Sequence, residues 1–365
     1  MVLFKNELHR RARTAGIGPE EAARIRREEP DRAQRLEIGL GQALETVRDR
    51  IGFTSHTPVP AGRKVYPLEI INYYFGNYFC QSGLERNDLD ELIKMVTDAE
   101  SPGLPMDDLA LGWSSYANGV SRLHGTKTCR RLYGERWMRA HPDSGSEGYD
   151  RDAITNAVHR MFWQSPLLQK RSKDIMRIPN RAMAGIKAQM KEDAAEELEK
   201  IRGVKLDPEA FTIVIARRLA TYKRNTFLIK HMLNRLYRIA EERGIGKVQI
   251  VLAGKAHPWD PAGKSGGMLQ EIMAATINPH HNVCFVKDYD IEVAKRLMKI
   301  ADVWHSNPIP PNEASETSFM KAGMNGAIDV STADGAMLED ETAMIFGKRY
   351  RLFCVRGFRP TVRAI

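Results

Sequence analysis

Cysteine is scarce and scattered. Cys80, Cys129, Cys284 and Cys354 are the only four in 365 residues, and no two form a CxxC pair. That spacing gives neither a zinc site nor a disulfide framework, so a reducing cytoplasm is the expected compartment. No apolar run is long enough to span a bilayer, and no membrane association is expected. The opening MVLFKNELHRRAR is too charged for the core of a signal peptide. A P-loop is lacking as well. Gly263-Lys264-Ser265 has the ending of that motif, but Pro258 stands where its first glycine is needed. Acidic residues are absent from the end of the chain. Lys348 to Ile365 hold six Lys/Arg and no acid, which accounts for two-thirds of the net charge of +9. The remainder is nearly balanced and has no aromatic–basic motif, so nucleic acid is not an expected partner.

With 42% hydrophobic residues the chain can bury one or two cores. Its first part is charged and broken by proline. Pro19, Glu20 and Glu21 predict a helix start, Pro30 ends it, and Asp31 to Ile51 predicts a second helix weakened by Gly39 and Gly41. GFTSHTPVPAG (52–62) predicts a short strand and a proline-rich loop carrying His56. PLEIINYYFGNYFC (67–80) predicts a helix whose rings serve core and interface packing. Leu109 to Gly125 predicts a helix with a structural His124. Residues 166–208 read as a helical bridge, interrupted at Pro179, with a solvated charged second half.

From Phe211 the texture changes. FTIVIA, VQIVLAG, VCFV, ADVW and AIDV are short apolar runs separated by helical segments, as parallel strands buried on both faces require. The expected class is α/β. A partial, mainly helical N-terminal domain covers 1–165 and the bridge 166–208. A Rossmann-like parallel-sheet domain covers 209–340, and a basic tail 341–365.

Two stretches carry chemistry. ARRLATYKRNT (216–226) sets Arg217, Arg218, Lys223 and Arg224 at the carboxyl end of the first strand, where an open α/β sheet binds ligands, and such cations suit phosphate. NEASETSFMKAGMNG (312–326) offers Ser315, Thr317 and Ser318 as helix caps and places Lys321 on an apolar stretch of the following helix. A lysine there is costly unless paired or covalently used. On spacing alone, an exposed lysine on an ordinary crossover is the favoured reading.

Taken whole, EASETSFMKAGMNGAIDVSTADG resembles the cofactor-lysine segment of the α-glucan (glycogen/maltodextrin) phosphorylases, above all their short prokaryotic branch. The resemblance implies a GT-B-like fold. It also implies that Lys321 carries pyridoxal 5'-phosphate, with Thr317, Arg217 and Tyr289 (in KDYDIEVA) near the cofactor. RR-x-x-x-YKR is similar to the family's phosphate stretch, which implies that Arg218 and Lys223 hold orthophosphate and that Tyr222 supports the pocket. Lys255 and His257 lie in AGKAHP, which also matches; Lys255 is expected to help the anion site and His257 is left without a role. Glu313 and Ser315 would contact glucose, and HTPVPAG places His56 on a loop lining the sugar pocket. ITNAVHRMFWQ resembles TNGVH, with Ala157 replacing a glycine. Asn156 there has two readings, a sugar hydroxyl ligand or a loop cap, and His159 fits either job. The implied reaction is phosphorolysis of an α-1,4-glucan or maltodextrin to glucose 1-phosphate, without a metal.

The resemblance runs over about 52–340, and one position departs: the family has glycine where this chain has Glu316. A full member begins with a large sugar domain whose glycine-rich loop serves the phosphates, and neither that loop nor its strands are found here. The expectation is therefore a fragment lacking the N-terminal part and the usual C-terminus, poorly active alone. The expected protein partners are a second copy in a homo-oligomer or a chain supplying the missing N-terminal part. Two alternatives remain: a non-catalytic glucan-binding remnant or partner subunit, and a nucleotide-sugar glycosyltransferase. The latter prefers glutamates eight positions apart, and Lys321 stands eight after Glu313.

Overall fold

The structure is a computed structural model that describes residues 2–81, 90–91, 93–94, 103–140, 152–171, 178–257, 267–278, 280, 282–339 and 344–345. Gly263-Lys264-Ser265 and all but two residues of the basic tail lie outside the described residues. The chain divides into two compact units, Met1–Thr155 and Asn156–Ile365.

The first unit is built from short pieces. Pro19 and Pro30 each open a helix, Pro19–Glu28 and Pro30–Arg35, at a position where the missing N–H has no partner to lose. The single helix expected over Asp31–Ile51 is broken in two, and Leu40–Arg48 starts anew. Gly39 precedes that second helix, and its N–H donates to Gln42 Oε1 at 3.1 Å, so this glycine punctuates where it was expected only to weaken. Four strands follow: β1 (Gly52–Thr54), β2 (Val65–Tyr66), β3 (Leu104–Pro105) and β4 (Tyr116–Asn118). β1 pairs with β4 in parallel and β2 with β3 antiparallel. The helix expected over Leu109–Gly125 is therefore another misreading. Helix Met106–Gly112 gives way to β4, then to a π-helical turn at His124–Cys129. Pairing with β1 captures the segment. Gly119 then approaches Gly125 so closely that a Cβ on Gly119 would stand 2.5 Å from the Gly125 nitrogen.

Core clusters in this unit gather Phe4, Leu44, Val47 and Trp113, and separately Leu111, Tyr133 and Trp137. From the aromatic helix Leu68–Gln81, Leu68, Ile71 and Tyr78 pack on the first of these clusters. Ile71 is buried, but Tyr73, Tyr74 and Phe75 are 83%, 72% and 51% exposed. Rings on every side of a helix cannot all face one core. His124 is structural. It is buried, its Nδ1 accepts the Val120 N–H at 3.3 Å, and desolvation, helped by His56, lowers its pKa to about 4.

The second unit holds a six-stranded parallel sheet of β5 (Phe211–Ala216), β6 (Val248–Ala253), β7 (Val283–Val286), β8 (Val303–His305), β9 (Ile328–Ser331) and β10 (Met344–Ile345). All five expected apolar runs are strands. Their side chains alternate between two cores, as a period of two demands. Ile213 and Ile215 join Ile250, Leu252 and Ile272 on one face. Val214 and Ala216 join Val251, Leu297 and Trp304 on the other. Helices Phe227–His231, Leu233–Glu242 and Gly267–Ile277 cover the first face. Asn180–Arg202 and Ile291–Ile300 cover the second. The helix Asn180–Arg202 buries Met190, Ala194 and Leu198, turns Glu196 and Lys200 outward as a 2.6 Å pair, and stops at Gly203 with φ +66°.

The strand order is β10-β9-β8-β5-β6-β7. In order of appearance within this sheet that is 6-5-4-1-2-3, so the winding reverses between β5 and β8. Ligands of open α/β sheets bind outside the carboxyl ends of the strands at such a reversal. Arg217 directly follows β5 and Ser306 directly follows β8.

Candidate active site

Cations from the β5 exit stitch it to the loop after β8. Arg217 is buried. Its Nη2 donates to the His305 carbonyl at 3.3 Å, to Ser306 Oγ, and to Glu316 Oε1 at 2.5 Å. Lys223 Nζ meets Glu313 Oε2 at 2.5 Å. Arg224, at φ +48°, donates to Asn307 O and Oδ1 at 2.7 and 2.6 Å and to Pro308 O at 3.0 Å. The sequence marks Arg224 only as part of the basic cluster; in the fold it clamps the two loops, using a left-handed backbone that residue type does not announce. Arg218 turns aside to the Tyr222 hydroxyl at 3.2 Å.

The other side of the β8 loop is fixed from 334–336. Asp334 Oδ2 accepts the Glu313 N–H at 2.9 Å, and Ser315 O accepts the Ala336 N–H at 3.0 Å. Gly335, at φ +56°, lies where a Cβ would come within 2.9 Å of Ser315 O, so only glycine closes this contact without displacement. Burial pushes the Asp334 carboxyl up to about 7, with the Glu313 and Glu316 carboxylates adding to it, against two backbone N–H bonds. Burial likewise raises Glu313, opposed by Lys223. Tyr289 packs against the core that holds Val214 and Trp304, and burial pushes its phenol up to about 12, with the Arg217 charge acting the other way.

Lys321 sits on the short helix Ser318–Gly323. Thr317 occupies the cap position but its side chain makes no capping bond, and Ser318 Oγ accepts from Trp304 Nε1 at 3.2 Å, so the expected side-chain caps are used otherwise. Lys321 Nζ lies 4.2 Å from the centre of the Trp163 ring, and desolvation lowers its pKa. Among the described residues it has no carboxylate partner. Asn325, fully buried, sets this arrangement. Its Nδ2 donates to Lys321 O at 2.8 Å and Trp163 O at 2.9 Å, and its Oδ1 accepts the Ser165 N–H at 2.8 Å. Lys187 then bridges Asn325 O at 3.1 Å and Ala301 O at 2.6 Å. Neither Asn325 nor Lys187 was expected from sequence. An Asn-Gly after a helix signals only a turn, and a lysine in a charged helix signals only solvent.

The structure thus brings Arg217, Lys223, Glu313 and Ser315 to the reversal. Asn156 makes no hydrogen bond among the described residues, and His159 is occupied in capping, its Nδ1 accepting the Phe162 N–H at 3.1 Å. His56 is exposed in the first unit. Among the described residues no helix is long and apolar enough to cross a membrane.

A family model for carbohydrate phosphorylases matches residues 152–351. The chain belongs to the carbohydrate phosphorylase family. That match contains the whole reversal, from Trp163 to Asp334. Among curated relatives, glycogen phosphorylase of Mycobacterium tuberculosis is 29% identical, over 82% of this chain and 38% of the relative. Maltodextrin phosphorylase of Thermococcus litoralis is 31% identical over 83% and 39%. Glycogen phosphorylase of Aquifex aeolicus is 29% identical over 82% and 46%. This phosphorylase chain therefore spans less than half the length of each of these three.

Proposed function

We propose that this chain carries the cofactor and phosphate part of an α-1,4-glucan phosphorylase of GT-B-like plan, laid out as 1–165, 166–208, 209–340 and a 341–365 tail. The reaction is transfer of a glucosyl unit from glycogen or maltodextrin to orthophosphate, in the cytoplasm. Lys321 holds pyridoxal phosphate, Thr317, Arg217 and Tyr289 surround it, and Arg218 and Lys223 face orthophosphate. Glu313, Ser315 and Asn156 serve glucose.

The observation that carries this reading is Lys321 itself: a partly buried amine with a lowered pKa and no acid beside it among the described residues. Such a lysine presents its neutral form readily, as covalent attachment to a carbonyl requires. The reversal between β5 and β8 also fits a phosphate group. Among the described residues, Arg217 Nε and Nη1 and Asn307 Nδ2 are buried without a protein partner, and buried donors of this kind call for an acceptor. When bound, the cofactor supplies a phosphate able to exchange a proton with the substrate phosphate. The chain's own cations lower the repulsion between two such groups. Lys223 also holds the Glu313 carboxylate, at 2.5 Å.

The test is chemical. Protein incubated with pyridoxal phosphate and reduced with borohydride should carry the pyridoxyl mass on the Lys321 peptide, and Lys321→Ala should lose that label. Labelling spread evenly over surface lysines would sink the proposal.

A further inference from the structure

Glu316 is out of place by two independent measures. Its backbone lies at φ +65°, a left-handed conformation that residues bearing a Cβ avoid. Its carboxylate is almost wholly buried, with 2% side-chain exposure, a position that charge tolerates only with a partner. The partner is Arg217, whose Nη2 reaches Glu316 Oε1 at 2.5 Å, while Ser306 Oγ donates to the same oxygen at 2.6 Å. Arginine and carboxylate prefer two parallel hydrogen bonds. Here only one edge of each is used. Among the described residues, Arg217 Nε and Nη1, and Glu316 Oε2, are buried without a protein partner.

We propose that Glu316 is a resident anion on Arg217 that determines what the site accepts: a phosphate group binds there only weakly until this carboxylate is displaced or removed. The inference rests on the reading of Arg217 as a phosphate-facing cation. The guanidinium keeps free N–H donors for an incoming acceptor, but Glu316 neutralises its charge and sets a negative group beside the newcomer. Glu313 leaves Lys223 in the same condition across the loop. The site is therefore assembled for an anion and already holds its own.

The experiment is calorimetric titration of the full chain with inorganic phosphate, at low and high salt, for wild type, Glu316→Gln and Glu316→Gly. Charge-assisted hydrogen bonds of this kind imply that Glu316→Gly tightens binding by about 10- to 100-fold. Glu316→Gln, which keeps the length but not the charge, should give part of that gain. The effect should shrink as salt rises. Glycine suits φ +65°, so the Gly variant is expected to fold, and circular dichroism checks it. Adding Arg217→Gln to Glu316→Gly should abolish the gain. Equal phosphate affinity in all three proteins, or a gain that survives Arg217→Gln, overturns the proposal. Labelling of Lys321 is a separate readout: phosphate can tighten without it, or fail to tighten with it, so the two readings fail separately.

Discussion

Phe75 and Trp304 are large aromatic residues that the two units treat in opposite ways. Phe75 is 51% exposed on the first unit's helix Leu68–Gln81, between Tyr73, Tyr74 and Tyr78. Trp304 has no exposure at all, in the middle of the second unit's sheet. The difference lies in what surrounds them. A parallel strand with helices on both faces has no outside, so register alone buries its side chains. The first unit has helices and strands of two or three residues, each with one face to bury. If this contrast is right, equal chemical damage should have very unequal consequences.

The largest effect is expected at Trp304. Trp304→Ala removes the largest side chain from the core shared by β5, β6 and the helix Ile291–Ile300, along with its bond to Ser318. The expected loss is about 3–5 kcal/mol in a denaturant titration. A loss below about 1 kcal/mol would mean that the sheet is not the cooperative centre of its unit.

The pH response should separate the units next. His124 in the first unit is lowered to about 4 from 6.5. The unfolded chain therefore binds more protons between those values, so stability is full above pH 6.5 and is lost as pH falls toward 4. The contribution is about 3 kcal/mol. In the second unit His305, lowered to about 3, acts in the same direction. Asp334 opposes it. Its carboxyl is raised to about 7 from 3.8, so the folded form binds more protons, and its stabilisation is lost as pH rises through that window. Hydrogen exchange, corrected for intrinsic rates, should show the first unit weakening more steeply between pH 6.5 and 4. Asp334→Asn should make the second unit equally steep. Parallel profiles in the wild type would remove the compensation.

How much of this the sequence displays follows the same contrast. FTIVIA and VQIVLA read as strands because burial on both faces leaves a continuous apolar run, and the basic cluster after the first run marked the ligand edge. The breaks at Gly39 and at β4 did not read, because a local helical pattern is blind to pairing with β1 and to the Gly119–Gly125 approach. The pairing of Arg217 with Glu316 joins residues 99 positions apart and depends on one left-handed backbone. No local pattern carries that. The motif resemblance marked Glu316 as a departure but not which cation it meets.

Asn325 tests whether the second unit's rigidity serves Lys321. Asn325→Ala deletes three buried hydrogen bonds, to Lys321 O, Trp163 O and the Ser165 N–H. The expected cost is about 2 kcal/mol, since partners left unsatisfied in a dry site lose more than an ordinary bond is worth. Lys321 should also lose its seat on the Trp163 ring. Slower borohydride-trapped labelling of Lys321, together with altered tryptophan fluorescence, is the expected signature. Unchanged labelling would reduce Asn325 to a fold residue.

The smallest effect is expected at the first unit's exposed rings. Tyr74 is 72% exposed and stands edge-on to Tyr73 at 5.0 Å between ring centres. An aromatic pair of this geometry contributes about 0.5–1.5 kcal/mol when buried. Here both rings meet water, and Tyr73 is 83% exposed, so little apolar area is removed from solvent. Serine has a helix propensity close to that of tyrosine, so the backbone should not register the change. Tyr74→Ser is therefore expected to shift the unfolding free energy by less than about 0.5 kcal/mol, as surface substitutions do. A loss of several times that size in the isolated chain would mean the helix is covered in solution, and sedimentation of wild type against variant would then reveal the second copy that covers it.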